Sequence, residues 1–166
     1  MALSSARPRL SIARRLIRRD PRAVLGDHSG AQAVEFALIA PLLLTLIMGI
    51  IQFSITLNNY IELTEAVRTG ARNLAISRAM SSTTPYTTTV SDIAASAGNL
   101  TPGSIAITIS VNGTTCSDNG SCSSALSSAA GQTASVSATY PCNLTVMGVN
   151  FLQNCSLQSQ TSDLVE

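Results

Sequence analysis

Gly30-Ala31-Gln32-Ala33-Val34-Glu35-Phe36-Ala37-Leu38-Ile39-Ala40-Pro41-Leu42-Leu43-Leu44 joins an arginine-rich leader to 22 uncharged, mostly apolar residues, Phe36 to Leu57. At 1.5 Å per residue that run makes about 33 Å of helix, against a bilayer hydrocarbon core of about 30 Å. It therefore predicts one membrane-spanning segment. Glu35 is stranded at its edge. An acidic side chain costs roughly 2.5 to 3.5 kcal/mol at the centre of an inserted helix and less near the interface, so a carboxylate there points to function. Pro41 lies inside the run. It would cost a soluble helix about 3 kcal/mol, but in lipid the freed carbonyl finds other partners, so a kink or stretched turn is expected.

The chain has 166 residues and a formal net charge of +1, which hides two opposite halves. Before Gly30, seven arginines (Arg7, Arg9, Arg14, Arg15, Arg18, Arg19, Arg22) face only Asp20 and Asp27, a balance of +5; after it three arginines face seven acids, a balance of −4. The positive-inside rule keeps the N-terminal side cytoplasmic and sends the remainder across. Nucleic acid is the competing reading of a basic stretch. These arginines have no aromatic interleaving and lead straight into the apolar run, so no nucleic-acid partner is expected. A cleavable secretory signal would have a shorter core and small residues at its exit site, which Thr45 to Leu57 do not offer.

Beyond Leu57, Tyr60, Leu63, Val67, Gly70 and Leu74 fall at helical spacing, with Glu62, Glu65, Arg68 and Arg72 on other faces. Ala66, Gly70, Ala71 and Ala75 make this surface thin. It can pack against the chain's own later elements or receive a partner helix, and both can hold. Ser81 to Thr89, with Pro85, predicts a break and a loop. Ser91 is expected to cap a short helix through Ala97, stopped by Gly98 and Asn99. Ile105, Ile107, Ile109 and Val111 alternate as in a half-buried strand, followed by an Asn112-Gly113 turn. Gln132 to Tyr140 places Ala134, Val136, Ala138 and Tyr140 on one face and is closed by Pro141. Leu144 to Leu152 is a third candidate strand.

The expected fold class is α+β: a long N-terminal helix, half membrane-spanning and half amphipathic, with a small disulfide-stapled antiparallel sheet. Three segments are predicted: a leader 1–30, a helix 31–80 with its span at 36–57, and a Ser/Thr-rich extracytoplasmic domain 81–166. So small a module needs staples. Cys116, Cys122, Cys142 and Cys155 all follow the span and so reach an oxidising compartment. Three pairings are possible. Short loops, one turned by Asn119-Gly120, favour Cys116 with Cys122 and Cys142 with Cys155. Zinc would need closer pairs, and the lone histidine, His28, lies in the leader. No metal or other cofactor is expected. The chain after Gly30 has no histidine, and its carboxylates form no acid–base constellation, so catalysis is the weaker class of function.

Gly30 to Thr56, together with Glu65-Ala66-Val67-Arg68-Thr69-Gly70-Ala71-Arg72, resembles the TadE-like pseudopilins of the tight-adherence (Tad, or Flp) pilus system. Glycine, glutamate, phenylalanine and proline in that order carry the likeness, which extends over residues 26 to 76. Gln52 departs from the acidic residue that many relatives carry. The tail is only loosely similar, with a late strand and short acidic end at Thr161 to Glu166. The resemblance implies cleavage by a prepilin peptidase after Gly30, making Ala31 the new N-terminus and Glu35 the fifth residue. It implies a minor pilin, with subunit assembly through Glu35, Phe36, Pro41, Gly70 and Ala71. The implied partners are the peptidase, other pilin and pseudopilin subunits, an inner-membrane assembly platform and lipid. The alternative is an uncleaved single-pass anchor whose outer domain binds another envelope protein or a surface ligand.

Overall fold

The computed structural model describes residues 28–146, 148–152 and 154–166. The leader up to Asp27, with its seven arginines, lies outside the described residues. The chain divides into two compact units at Leu42 and Leu43. The first, as described, is the start of helix α1 (His28–Ser77), whose side chains from Gly30 to Ile39 are all exposed. α1 runs through Pro41 without a break in its helical assignment.

The second unit begins within α1 and continues with α2 (Pro85–Ser96), β1 (Ala106–Val111), β2 (Thr114–Cys116), α3 (Asn119–Ser127), β3 (Thr133–Pro141), β4 (Thr145–Val146), β5 (Val149–Asn150) and β6 (Ser156–Leu164). Four strands form an antiparallel sheet in the order β2-β1-β3-β6, and β4 and β5 pair separately. The fold class is α+β, as expected. One face of the sheet is apolar: Ile109 and Val111 of β1 lie beside Val136 and Ala134 of β3 and are all buried. They share a core with Leu63, Ala66, Val67, Ala71 and Leu74 of α1, Ile93 of α2, and Cys122 and Leu126 of α3. The other face is Ser/Thr-rich, and Ser110 and Ser135 hydrogen-bond across it at 2.7 Å. Asn112 and Gly113 both have positive φ (50° and 78°), the backbone of the tight hairpin turn that joins β1 to β2.

Several sequence expectations are corrected. α2 starts at Pro85, six residues before Ser91, because proline cannot continue a helix but fits its first turn, where no amide bond is lost. The segment between Cys116 and Cys122 leads into a helix. Asp118 accepts from the Ser121 amide at 2.8 Å while the Ser121 hydroxyl closes back on the Asp118 amide at 3.2 Å, a reciprocal cap that starts α3. The single strand expected over Leu144 to Leu152 is two short ones, because Gly148 at φ 81° reverses the chain between them. Tyr60, placed on the packing face by its spacing, is exposed.

Cys142 and Cys155 form a disulfide, 5.1 Å between their α-carbons, that encloses the β4–β5 hairpin. Cys116 and Cys122 differ from expectation: both stand as free, buried thiols. Cys116 closes β2 and Cys122 lies in the first turns of α3, with their sulfurs near enough to interact. Burial pushes the Cys122 thiol up, and the neighbouring Cys116 and Asp118 add to the shift.

Candidate functional site

Two groups of α1 residues carry the functional expectations, and each is described within its own unit. In the first, Gly30 and Ala31 lie in the opening turns of α1, exposed, and a side chain added at Gly30 would meet nothing within 4 Å. Glu35 follows one turn later and is also exposed; no hydrogen bond or ion pair engages its carboxylate among the described residues. Around it the surface is apolar, with Val34 and Phe36 exposed at 62 % and 71 %. A carboxylate with apolar neighbours and no intramolecular partner can take one from another molecule.

The rest of the apolar run has the same character. Leu43, Leu44, Leu46, Ile47, Ile50, Ile51, Phe53 and Ile55 are all exposed. α1 is long and apolar enough to cross a membrane, with mean hydropathy 2.4 in its most apolar stretch.

Gly70 and Ala71 belong to the second unit, on the thin face of α1. Both are buried, and what lies against Gly70 is α2 of the same chain. A methyl at Gly70 would fall inside the Ile93 side chain, 2.7 Å from its Cδ1, and 3.5 Å from Thr89 Cγ2. Own-domain packing therefore covers Gly70 and Ala71. Two polar clasps reinforce it. Asn73 donates to Asp92 at 2.8 Å, and Glu62 accepts from both the amide and the side chain of Asn99. The one ion pair among the described residues, Arg68 with Glu65, is exposed and contributes little.

A cavity of about 440 Å³ near the end of α1 is lined by Asn73, Ile76, Met80, Pro85, Thr88 and Asp92, and its carboxylate is already bonded to Asn73. Among the described residues, no three of His, Cys, Asp and Glu cluster as metal ligands would. The carboxyl of Asp118 is held below the usual range by the Ser121 amide first and the Gly120 amide second, a capping role in α3.

Sequence reasoning missed the short helix that brings Cys122 to Cys116. Its signal was present as Asp118-x-x-Ser121, a capping pattern hidden under an Asn-Gly turn. The comparisons with known proteins bear on α1. Residues 30–72 match the family model described as TadE-like protein, which covers Gly30, Glu35, Pro41, Gly70 and Ala71 together. Neither the curated proteins nor the solved structures gave a match.

Proposed function

We propose, from a chain that is TadE-like over residues 30–72, that it is a minor pilin of a Tad pilus, a non-enzymatic subunit processed after Gly30. The observation that carries this reading is Glu35: an acid without a partner among the described residues, at the start of an exposed apolar helix, five residues past a glycine. In this reading the leader 1–30 stays cytoplasmic and is removed. Residues 36–57 hold the subunit in the inner membrane, and 81–166 form a periplasmic domain until the subunit joins or docks on a filament. Its partners are the prepilin peptidase, other pilins, the assembly platform and lipid. Processing is tested by intact mass from cells that contain the peptidase. Wild type is expected to begin at Ala31, and Gly30→Leu to insert with its leader attached. A mature chain starting elsewhere, or Gly30→Leu processed as wild type, refutes the processing step and favours an uncleaved anchor.

The same topology assigns a fate to the second thiol pair. Cys116 and Cys122 are expected to join in the exported protein by exchange with a disulfide oxidant. One thiolate attacks the oxidant's disulfide to form a mixed disulfide, the other thiolate attacks that bond, and the two protons given up by Cys116 and Cys122 end on the oxidant, which leaves as a dithiol. Non-reducing peptide mapping of envelope-derived protein should give Cys116 linked to Cys122 beside the Cys142–Cys155 bond. Free thiols at both positions would count against export.

A further inference from the structure

The four-stranded sheet has two unequal edges. β2 offers three residues and β6 offers nine. The register with β3 fixes where the β6 backbone points. Cys142 N–H donates to Cys155 O at 3.0 Å before the strand, and Val165 N–H donates to Gln132 O at 2.9 Å after it. Bonded and unbonded pairs alternate along an antiparallel ladder. The odd-numbered residues from Leu157 to Asp163 therefore bond to β3, and the backbone groups of Ser156, Gln158, Gln160, Ser162 and Leu164 point away from the sheet. Of those five amides only that of Leu164 has an acceptor among the described residues, Oδ1 of Asp163 at 2.9 Å. The side chains of all five are exposed.

Natural sheets blunt such edges with lysine, proline, bulges or a covering element. β6 has no proline and no basic residue, and its only charge is Asp163. The strand is built to be paired. We propose that β6 is an interface between two copies of this chain, whose strands pair antiparallel, edge to edge, about a two-fold axis at Gln160.

The sequence of the strand selects a second copy as the occupant. Centred on Gln160, the pairing sets Gln158 against Ser162, Ser156 against Leu164 and Asp163 against Leu157 of the other chain, so the acidic residues never oppose each other. Each outward amide and carbonyl finds a partner, up to about ten backbone hydrogen bonds, once the Leu164 amide leaves Asp163. The ends are complementary too. Leu164, 61 % exposed, comes to the start of the other strand, which follows the uncharged 143–154 loop with exposed Val149, Phe151 and Leu152. A two-fold contact of this kind is self-complementary and closes at two copies. It does not depend on leader cleavage or on the pilin reading.

The test uses the full chain in detergent micelles. Gln160→Cys places two thiols across the axis at a spacing that a disulfide can bridge, and is expected to give a covalent homodimer on mild oxidation. Ser124→Cys, exposed on α3, is expected to give none. Gln160→Pro removes an amide that points away from β3, so the sheet should survive as an edge proline allows, with loss of the dimer in sedimentation velocity. The proposal is overturned by a monomeric wild type, by equal cross-linking at positions 124 and 160, by a dimer that persists in Gln160→Pro, or by a Gln160→Cys adduct only with a different protein.

Discussion

Glu35→Gln is expected to reach the membrane at wild-type abundance and then fail to co-purify with partner pilins. In the proposed reading, leader removal leaves an amine at Ala31 that is positive at neutral pH, and in a stack of parallel helices the amine of one subunit can meet the carboxylate of another. Within apolar surroundings the pair must form or both charges go unmet. Removing one partner of a buried pair costs about 3–5 kcal/mol, over about a hundredfold in association. Glutamine keeps the shape and loses the charge, and cleavage after Gly30 should be unaffected, since the peptidase is expected to read chiefly the glycine and the leader charge. Recovery of partner pilins is compared at equal membrane abundance. Recovery equal to wild type would reduce Glu35 to an acid placed favourably near the positive end of the helix dipole.

Gly70→Leu should collapse the domain. The position is sealed by Ile93 and Thr89, which are 0 % and 1 % exposed, so neither can yield to a new side chain without opening the core. Overpacking by even a few methylenes costs about 1–3 kcal/mol, against total stabilities of about 5–15 kcal/mol. Leucine adds three further carbons beyond that clashing methyl position and should exceed that range. Gly70→Ala gains up to about 1 kcal/mol of helix propensity, yet its methyl still falls within Ile93, so an intermediate loss is expected. Protease resistance of the sheet domain, followed with temperature in detergent, should rank wild type above alanine and alanine above leucine. An alanine variant at least as resistant as wild type would show that α2 can move away from α1.

Much of this fold is legible because burial writes itself into sequence periodicity. Ile105 to Val111 and Ala134 to Tyr140 alternate, and the hydrophobic positions that the structure buries are those the alternation marks. β6 left no such trace. Ser156-Leu-Gln-Ser-Gln-Thr-Ser-Asp-Leu164 is mostly polar, and only Ser159 is buried, so its strand character comes from β3 beside it. α2 and α3 were obscured by residues that read equally as breakers and as helix starts, Pro85 and Asp118. At the candidate site, glycine and glutamate spacing singles out Gly30 and Glu35 as candidates by their chemistry. The thin face around Gly70 required coordinates, since small residues admit a neighbour without saying whose it is.

The close of the chain is fastened beside α1. Val165 is buried, the Glu166 amide donates to Ala75 O at 3.2 Å, and Arg78 donates to the Glu166 carbonyl at 3.1 Å. Mechanically this makes the domain a closed ring. Tension drawn through the last turns of α1 divides between the covalent path into α2 and a lateral clip into β6, whose nine paired residues on β3 spread the load across the sheet. The turn at Ser81, which joins α1 to α2, is thereby relieved of carrying that strain alone.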